Sequence, residues 1–267
     1  MRKKFIIKSK LILAVVIQVF FLLAYCLCAK ASAADLLNQS FNGANLLYKE
    51  SKYNEAIAEY NNILARGFES GNIYYNLGNC YVKTGELGRA ALNYERAGFF
   101  LPADSDLRSN YDYVISLLHL TDRQVQGKWY LVVLDRMFRN MGIDQLTVFL
   151  AVLYLLIVLF FILRIFVGTA VNAYRPVTVI LLLLLILGGI SLERKINLFN
   201  KGAIVISKEA EVKFGPFESA TAYFNLSEGS RIEVIEKGPD WYKIRRADGK
   251  TGWINKASLS LIQTVSR

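Results

Sequence analysis

The sequence predicts a multidomain chain: an all-α repeat solenoid, a two-helix transmembrane hairpin and a small all-β barrel. Three observations carry this expectation. The stretch from Asn38 matches itself when shifted by 34 residues. Two apolar runs, Leu146 to Val167 and Val177 to Leu192, are joined by a short basic connection. From Gly202 onward apolar residues alternate with polar ones between recurring turn signals. A length of 267 residues has room for two or three small domains.

Residues 1–33 read as a secretory signal peptide. Basic residues open it, Leu11 to Leu27 form an apolar core, and Ala31-Ser32-Ala33 supplies a small-residue cleavage pattern. Two other readings stand beside it. Leu23-Ala24-Tyr25 precedes Cys26 in the manner of a lipoprotein signal, with the bulky Tyr25 against it, and 17 apolar residues just suffice for an uncleaved anchor. Signal peptide and anchor both leave the basic end in the cytoplasm and residue 35 onward outside.

This segment also explains most of the charge. It holds six basic residues and no acidic one, and without it the net charge falls from +10 to +4, with 26 basic against 22 acidic residues. A small surplus spread over several segments is an ordinary solvated surface, so no nucleic-acid partner is expected. Cys26 and Cys28 lie in the same segment, and Cys80 alone cannot form an intramolecular bridge.

Residues 35–120 are predicted to form the repeat domain. At the shift of 34, Asn42 meets Asn76, Asn45 meets Asn79, Ala56 meets Ala90 and Tyr60 meets Tyr94. Small residues at Gly78 and Ala90 let two antiparallel helices approach, and Leu77, Tyr81 and Tyr94 fill the seam. Gly85 breaks the chain between them and Pro102 closes the repeat. The second copy, Tyr74-Tyr75-Asn76-Leu77-Gly78-Asn79-Cys80-Tyr81 through Ala90, Tyr94, Ala97 and Pro102, resembles the tetratricopeptide (TPR) pattern. A third step of 34 lands on Asn110, inside a stretch from Ser105 to Leu120 that reads as a capping helix. The resemblance implies that Asn42, Asn45, Tyr48, Asn76, Asn79 and Asn110 line a groove that binds an extended peptide. The alternative is that these asparagines satisfy local backbone groups. With 7 basic and 10 acidic residues, segment 35–120 lacks the strongly basic groove that grips a carboxylate terminus.

Residues 121–145 are expected to be an amphipathic linker. Trp129, Tyr130, Val133, Leu134, Met137, Phe138 and Met141 recur at helical spacing, with Arg136 and Arg139 between them. Such a helix lies at the headgroup level or packs against the repeat cap. Residues 146–192 then form the hairpin. Its connection, Arg164 to Arg175, carries only positive charge and is expected to be cytoplasmic, which puts both flanking modules on the outer side of the membrane.

Residues 200–263 are predicted to be the barrel. The apolar set is Ala203, Val205, Ala210, Val212 and Phe214, then Ile232, Val234 and Ile235, then Trp241, Tyr242 and Ile244, then Trp253 and Ile254, giving five strands. Turns fall at Gly215-Pro216, Glu228-Gly229, Gly238-Pro239 and Asp248-Gly249. The phrases Leu226-Ser227-Glu228-Gly229-Ser230-Arg231-Ile232-Glu233-Val234, Asp240-Trp241-Tyr242-Lys243-Ile244 and Asp248-Gly249-Lys250-Thr251-Gly252-Trp253-Ile254 resemble the bacterial SH3-like family. That resemblance makes Tyr223, Trp241 and Trp253 candidate ligand contacts. Core placement is the first expectation for Trp253, and Trp241 stands evenly between core and contact. The acidic-aromatic opening motif of the eukaryotic proline-binding groove is absent, and Asn255 stands where its proline would be. With nine basic and eight acidic residues between Ala203 and Ile262, no charged patch is expected.

No metal-ligand spacing, phosphate-cradling glycine loop or nucleophile elbow is present, so no metal, no cofactor and no catalytic residue are expected. His119, the single histidine, could pair with Cys80, but no third group would orient the pair.

The ordered combination of signal peptide, short repeat unit, membrane hairpin and terminal SH3-like barrel resembles the BatE proteins of the bacterial Bat aerotolerance group. The resemblance implies an inner-membrane scaffold with both modules in the periplasm. Its partners would be von Willebrand A-type Bat proteins, and its role tolerance of oxygen or other envelope stress. The competing expectation is a module that senses the cell wall through peptidoglycan stem peptides held by Trp241 and Tyr223.

Overall fold

A computed structural model of the chain describes residues 38–120, 129–167 and 174–263. The signal-peptide segment 1–33 and the side chains of the basic connection, 163–175, lie outside the described residues. The chain divides into two compact units between Phe68 and Glu69.

The first unit holds α1 (38–49) and α2 (Tyr53–Ala65). Between them Ser51 takes a left-handed φ of 62°, and the Lys52 N–H donates back to the Leu47 carbonyl. Ala56, Tyr60 and Ile63 recur on one face of α2 and are buried. The Phe41 ring meets Tyr60 edge-on at 6.0 Å.

The second unit opens with α3 (Gly71–Thr84) and α4 (Leu87–Phe100). The Ser70 hydroxyl accepts from the Ile73 N–H at 3.3 Å and caps the start of α3. Gly85 ends it at φ 82°, the left-handed conformation that costs glycine nothing. Gly71 faces Leu101 and Gly78 faces Tyr94, so the helices run antiparallel; a Cβ on Gly78 would lie 2.5 Å from the Tyr94 ring. Leu77, Tyr81 and Tyr94 are buried in the seam, as their spacing predicted. In α5 (Ser105–Leu117), Asp104 accepts from the Leu107 N–H at 2.9 Å. Its outer face is only partly polar, since Tyr113 and Leu117 are exposed.

Next come α6 (Trp129–Met137), α7 (Ile143–Val167) and α8 (Tyr174–Lys201). Both α7 and α8 contain stretches long and apolar enough to cross a membrane, Ile143–Ile162 and Pro176–Lys201. Their apolar residues point outward in most directions, with Val148 63% and Ile186 57% exposed. Leu146, Leu153 and Ile157 are buried, and Gly188 lets α8 approach Leu150. The helix α6 and the turn after it pack through Leu134 and Phe138 onto Leu146, Leu150 and Leu187 of the hairpin. The side chains of Trp129 and Tyr130 lie outside the described residues. The helix α8 runs nine residues past Leu192, where the apolar run was expected to end, and passes at Gly202 into the first strand.

The barrel comprises β1 (Gly202–Val205), β2 (Glu209–Lys213), β3 (Ala222–Ser227), β4 (Arg231–Lys237), β5 (Trp241–Arg245), β6 (Thr251–Asn255) and β7 (Leu259–Leu261). There are seven strands where five were expected, all pairings are antiparallel, and the order is β3-β2-β6-β5-β4-β1-β7. Ala203, Val205, Ala210, Val212, Leu226, Ile232, Val234, Tyr242, Ile244 and Ile254 form the core. Phe214, expected inside, is 62% exposed. It follows a register shift between Val212 and Lys213, and one extra residue in a strand inverts the alternation beyond it. A second shift falls at Ile235, between Val234 and Glu236, and Ile235 next to buried Val234 is 43% exposed.

Candidate functional site

Two of the asparagines expected in the peptide groove, Asn45 and Asn79, are held by tyrosines of their own helix pairs. In the first unit the Tyr60 hydroxyl donates to Asn45 Oδ1 at 2.6 Å. In the second, the Tyr94 hydroxyl donates to Asn79 Oδ1, also at 2.6 Å. The two bonds sit at equivalent positions of the 34-residue period. Asn79 Oδ1 accepts a second bond, from Asn110 Nδ2 at 3.2 Å, and Asn110 also donates to the Tyr75 hydroxyl at 2.9 Å. The carbonyl oxygen of Asn79 is therefore occupied by two donors. Asn42 is exposed, while Tyr48 and Asn76 are half-buried and Tyr48 packs edge-on to Tyr53 at 5.4 Å.

On the barrel, Trp253 and Trp241 are both half-buried. Trp253 sits on the outer face as cross-strand partner of Lys213 and Lys243, which corrects its placement in the core. Each ring already has a lysine over it: Lys243 Nζ lies 5.8 Å from the Trp253 centroid and Lys213 Nζ lies 5.3 Å from that of Trp241. Lys213 is itself buried and donates to the Glu218 carbonyl at 2.6 Å and to its carboxylate at 3.0 Å. The open aromatic surface lies beside them. Tyr223 stacks on Phe214 with centroids 4.4 Å apart, and Phe217 is 55% exposed in the loop that joins β2 to β3. Phe214 and Phe217 escaped the sequence reading because the bulge at Val212 conceals which face Phe214 takes.

A further arrangement was not legible at all. The second helix pair is clasped to the barrel at three points along α4. The Gly88 N–H, at the start of α4, donates to Glu228 Oε1 at 2.6 Å, so a barrel carboxylate caps a helix whose own Glu86 makes no cap bond. Glu95 receives Arg231 of the barrel on one oxygen and the Tyr111 hydroxyl of α5 on the other, each at 2.7 Å. Arg96 donates to the carbonyls of Leu261 and Ile262, both at 2.8 Å, while its guanidinium lies 5.5 Å from the Tyr74 centroid. Burial pulls the pKa of Arg96 below its ordinary value, opposed by Tyr74 and Glu69. The charge is retained all the same, because an arginine starts so far above neutral pH. Farther along, the Phe99 and Phe100 rings meet Phe199 of α8 edge-on at 5.2 and 6.1 Å.

Cys80 is buried within α3, and burial pushes its thiol up to about 12. It is protonated at neutral pH and so not a nucleophile. His119 sits in a left-handed turn after α5, at φ 53°. Among the described residues no group of acidic, histidine or cysteine side chains could hold a metal ion.

The family model described as the bacterial SH3 domain matches residues 209–260 of this chain, which run from β2 into β7. The match leaves out β1, which α8 feeds, and the Leu261 and Ile262 carbonyls that Arg96 holds. No curated protein matches the chain.

Proposed function

We propose that this chain is a non-enzymatic, membrane-anchored adaptor of the bacterial envelope. It holds a tetratricopeptide-type helical module and an SH3-like barrel on the periplasmic side of the inner membrane. The observation that carries this reading is the clasp along α4. Glu228, Arg231, Leu261 and Ile262 of the barrel meet Gly88, Glu95 and Arg96 of one helix. At the same time α8 enters β1 without a linker. Two surfaces of the kind that bind polypeptides are thereby fixed to each other and to the bilayer, the arrangement a scaffold needs. By its resemblance to the BatE group the partners are von Willebrand A-type membrane proteins, and the setting is tolerance of oxygen or other envelope stress.

The test is purification of the tagged full-length chain from native membranes in mild detergent, with identification of what accompanies it. Recovery of von Willebrand A-type proteins is the expected outcome, reduced several-fold by Asn76→Ala. Asn79 is unsuitable for this purpose, because it anchors Tyr94. Unchanged recovery from a folded Asn76→Ala variant overturns the groove assignment.

A second reading is favoured by the open aromatic surface of Phe214, Phe217 and Tyr223. Here the barrel binds peptidoglycan stem peptides and the chain reports on the cell wall. Co-sedimentation of the detergent-solubilised full chain with purified cell wall supports this reading if Tyr223→Ala abolishes it.

A further inference from the structure

We infer that α6 and the turn after it form an interfacial segment whose Val133 and Met137 lie against lipid while Arg136 and Arg139 bind the headgroups of anionic phospholipid. The inference rests on the membrane-spanning reading of α7 and α8. Three contacts set the level of α6 along α8. Asp135 pairs with Arg194 at 3.0 Å, and Lys195 Nζ donates to the carbonyls of Phe138 and Met141 at the end of the helix. Arg194 and Lys195 stand two and three residues beyond Leu192, where the apolar run of α8 ends, so α6 is tied to the rim of the span. Leu134 and Phe138 are buried against the hairpin, yet Val133 and Met137, one turn apart on another face, are 52% and 55% exposed. On α7, Val148 and Val152 are likewise 63% and 50% exposed. Water would meet Val133 and Met137 at a cost; acyl chains meet them at none.

The charge on the helix names the lipid. Asp135, the one acidic residue of α6, is neutralised by Arg194, while Arg136 and Arg139 are exposed. A guanidinium beside an apolar face at the rim is matched by a phosphate, and each basic residue close to an anionic surface is worth roughly fivefold in partitioning. Both arginines together correspond to a preference of roughly 25-fold for anionic over zwitterionic lipid at this site.

The experiment uses the full chain, with Cys26→Ser and Cys28→Ser, in vesicles of phosphatidylcholine with and without phosphatidylglycerol. Cys80 is buried and stays unlabelled. Spin labels are placed singly through Met137→Cys, through Val152→Cys in α7 and through Asp106→Cys on exposed α5. Collision with oxygen and with a water-soluble nickel chelate is then read for each. The expected result is an oxygen-rich, nickel-poor Met137 label that resembles Val152. It becomes several-fold more accessible to nickel when phosphatidylglycerol is omitted or when Arg136→Gln and Arg139→Gln are added. A Met137 label as open to nickel as Asp106, with Val152 still in lipid, overturns the inference alone. A Met137 label in lipid but indifferent to both changes overturns the anionic-lipid assignment. A nickel-accessible Val152 overturns the spanning reading and this inference with it.

Discussion

The two helix pairs share a framework and differ where one of them is docked. Each closes on the same hydrogen bond, Tyr60 to Asn45 in one and Tyr94 to Asn79 in the other, both 2.6 Å long. The three residues that clasp the barrel in the second pair, Gly88, Glu95 and Arg96, correspond at the 34-residue shift to Asn54, Asn61 and Asn62. All three of those asparagines are exposed. The buried seam carries the repeat, and the outer face of its second helix has been free to specialise. The lesson is that the positions outside the repeat consensus are the ones that distinguish one copy's role from the other's.

The comparison breaks most severely at Arg96. Arg96→Ala leaves two barrel carbonyls without their charged donor, and a cost of about 3 kcal/mol is expected. Asn62→Ala, its counterpart, should stay within about 0.5 kcal/mol. Denaturant unfolding of the solubilised chain, followed by far-ultraviolet circular dichroism, measures both. Equal costs would mean that the clasp contributes nothing to stability.

A smaller effect sharpens the likeness. Tyr60→Phe and Tyr94→Phe each remove one hydroxyl donor from a part-buried asparagine and should each cost about 1 kcal/mol. The same unfolding measurement checks both.

A last contrast concerns Cys80, whose counterpart is Leu46, 57% exposed. The folded thiol is held up to about 12 from an ordinary 9.0. A raised folded-state value gives stability that is complete below pH 9 and is lost as the pH rises toward 12, because the unfolded thiol ionises first. Iodoacetamide at pH 9 should leave Cys80 of the folded protein unmodified and alkylate it once the chain is unfolded. Rapid modification of the native protein would show that the thiol is not buried.

Elements governed by local periodicity were legible in the sequence. The seam residues Leu77, Tyr81 and Tyr94, the left-handed stop at Gly85 and the turns of the barrel all follow from spacing that a few neighbouring residues impose. The exception has a local cause too. Phe214 lies just past a bulge, and a bulge inverts alternation without changing composition. The clasp was illegible for another reason. Arg96 and Ile262 stand 166 residues apart, and each resembles a residue on an ordinary surface until the other is placed beside it. The roles of Asn45 and Asn79 were half legible. Their recurrence was plain, but an asparagine that steadies a tyrosine and one that awaits a peptide have the same spacing.

The passage of α8 into β1 without an intervening loop makes helix length a matter of phase. The stretch from Glu193 to Lys201 behaves as a shaft between the apolar run of α8 and the barrel. One inserted residue would rotate everything beyond it by about 100° and raise it about 1.5 Å. Such a change would carry the Leu261 and Ile262 carbonyls out of reach of Arg96 and turn Phe214 and Tyr223 toward a different quarter. A substitution along this shaft can be absorbed by side-chain repacking. An insertion or deletion cannot, because it resets the direction in which the barrel is aimed.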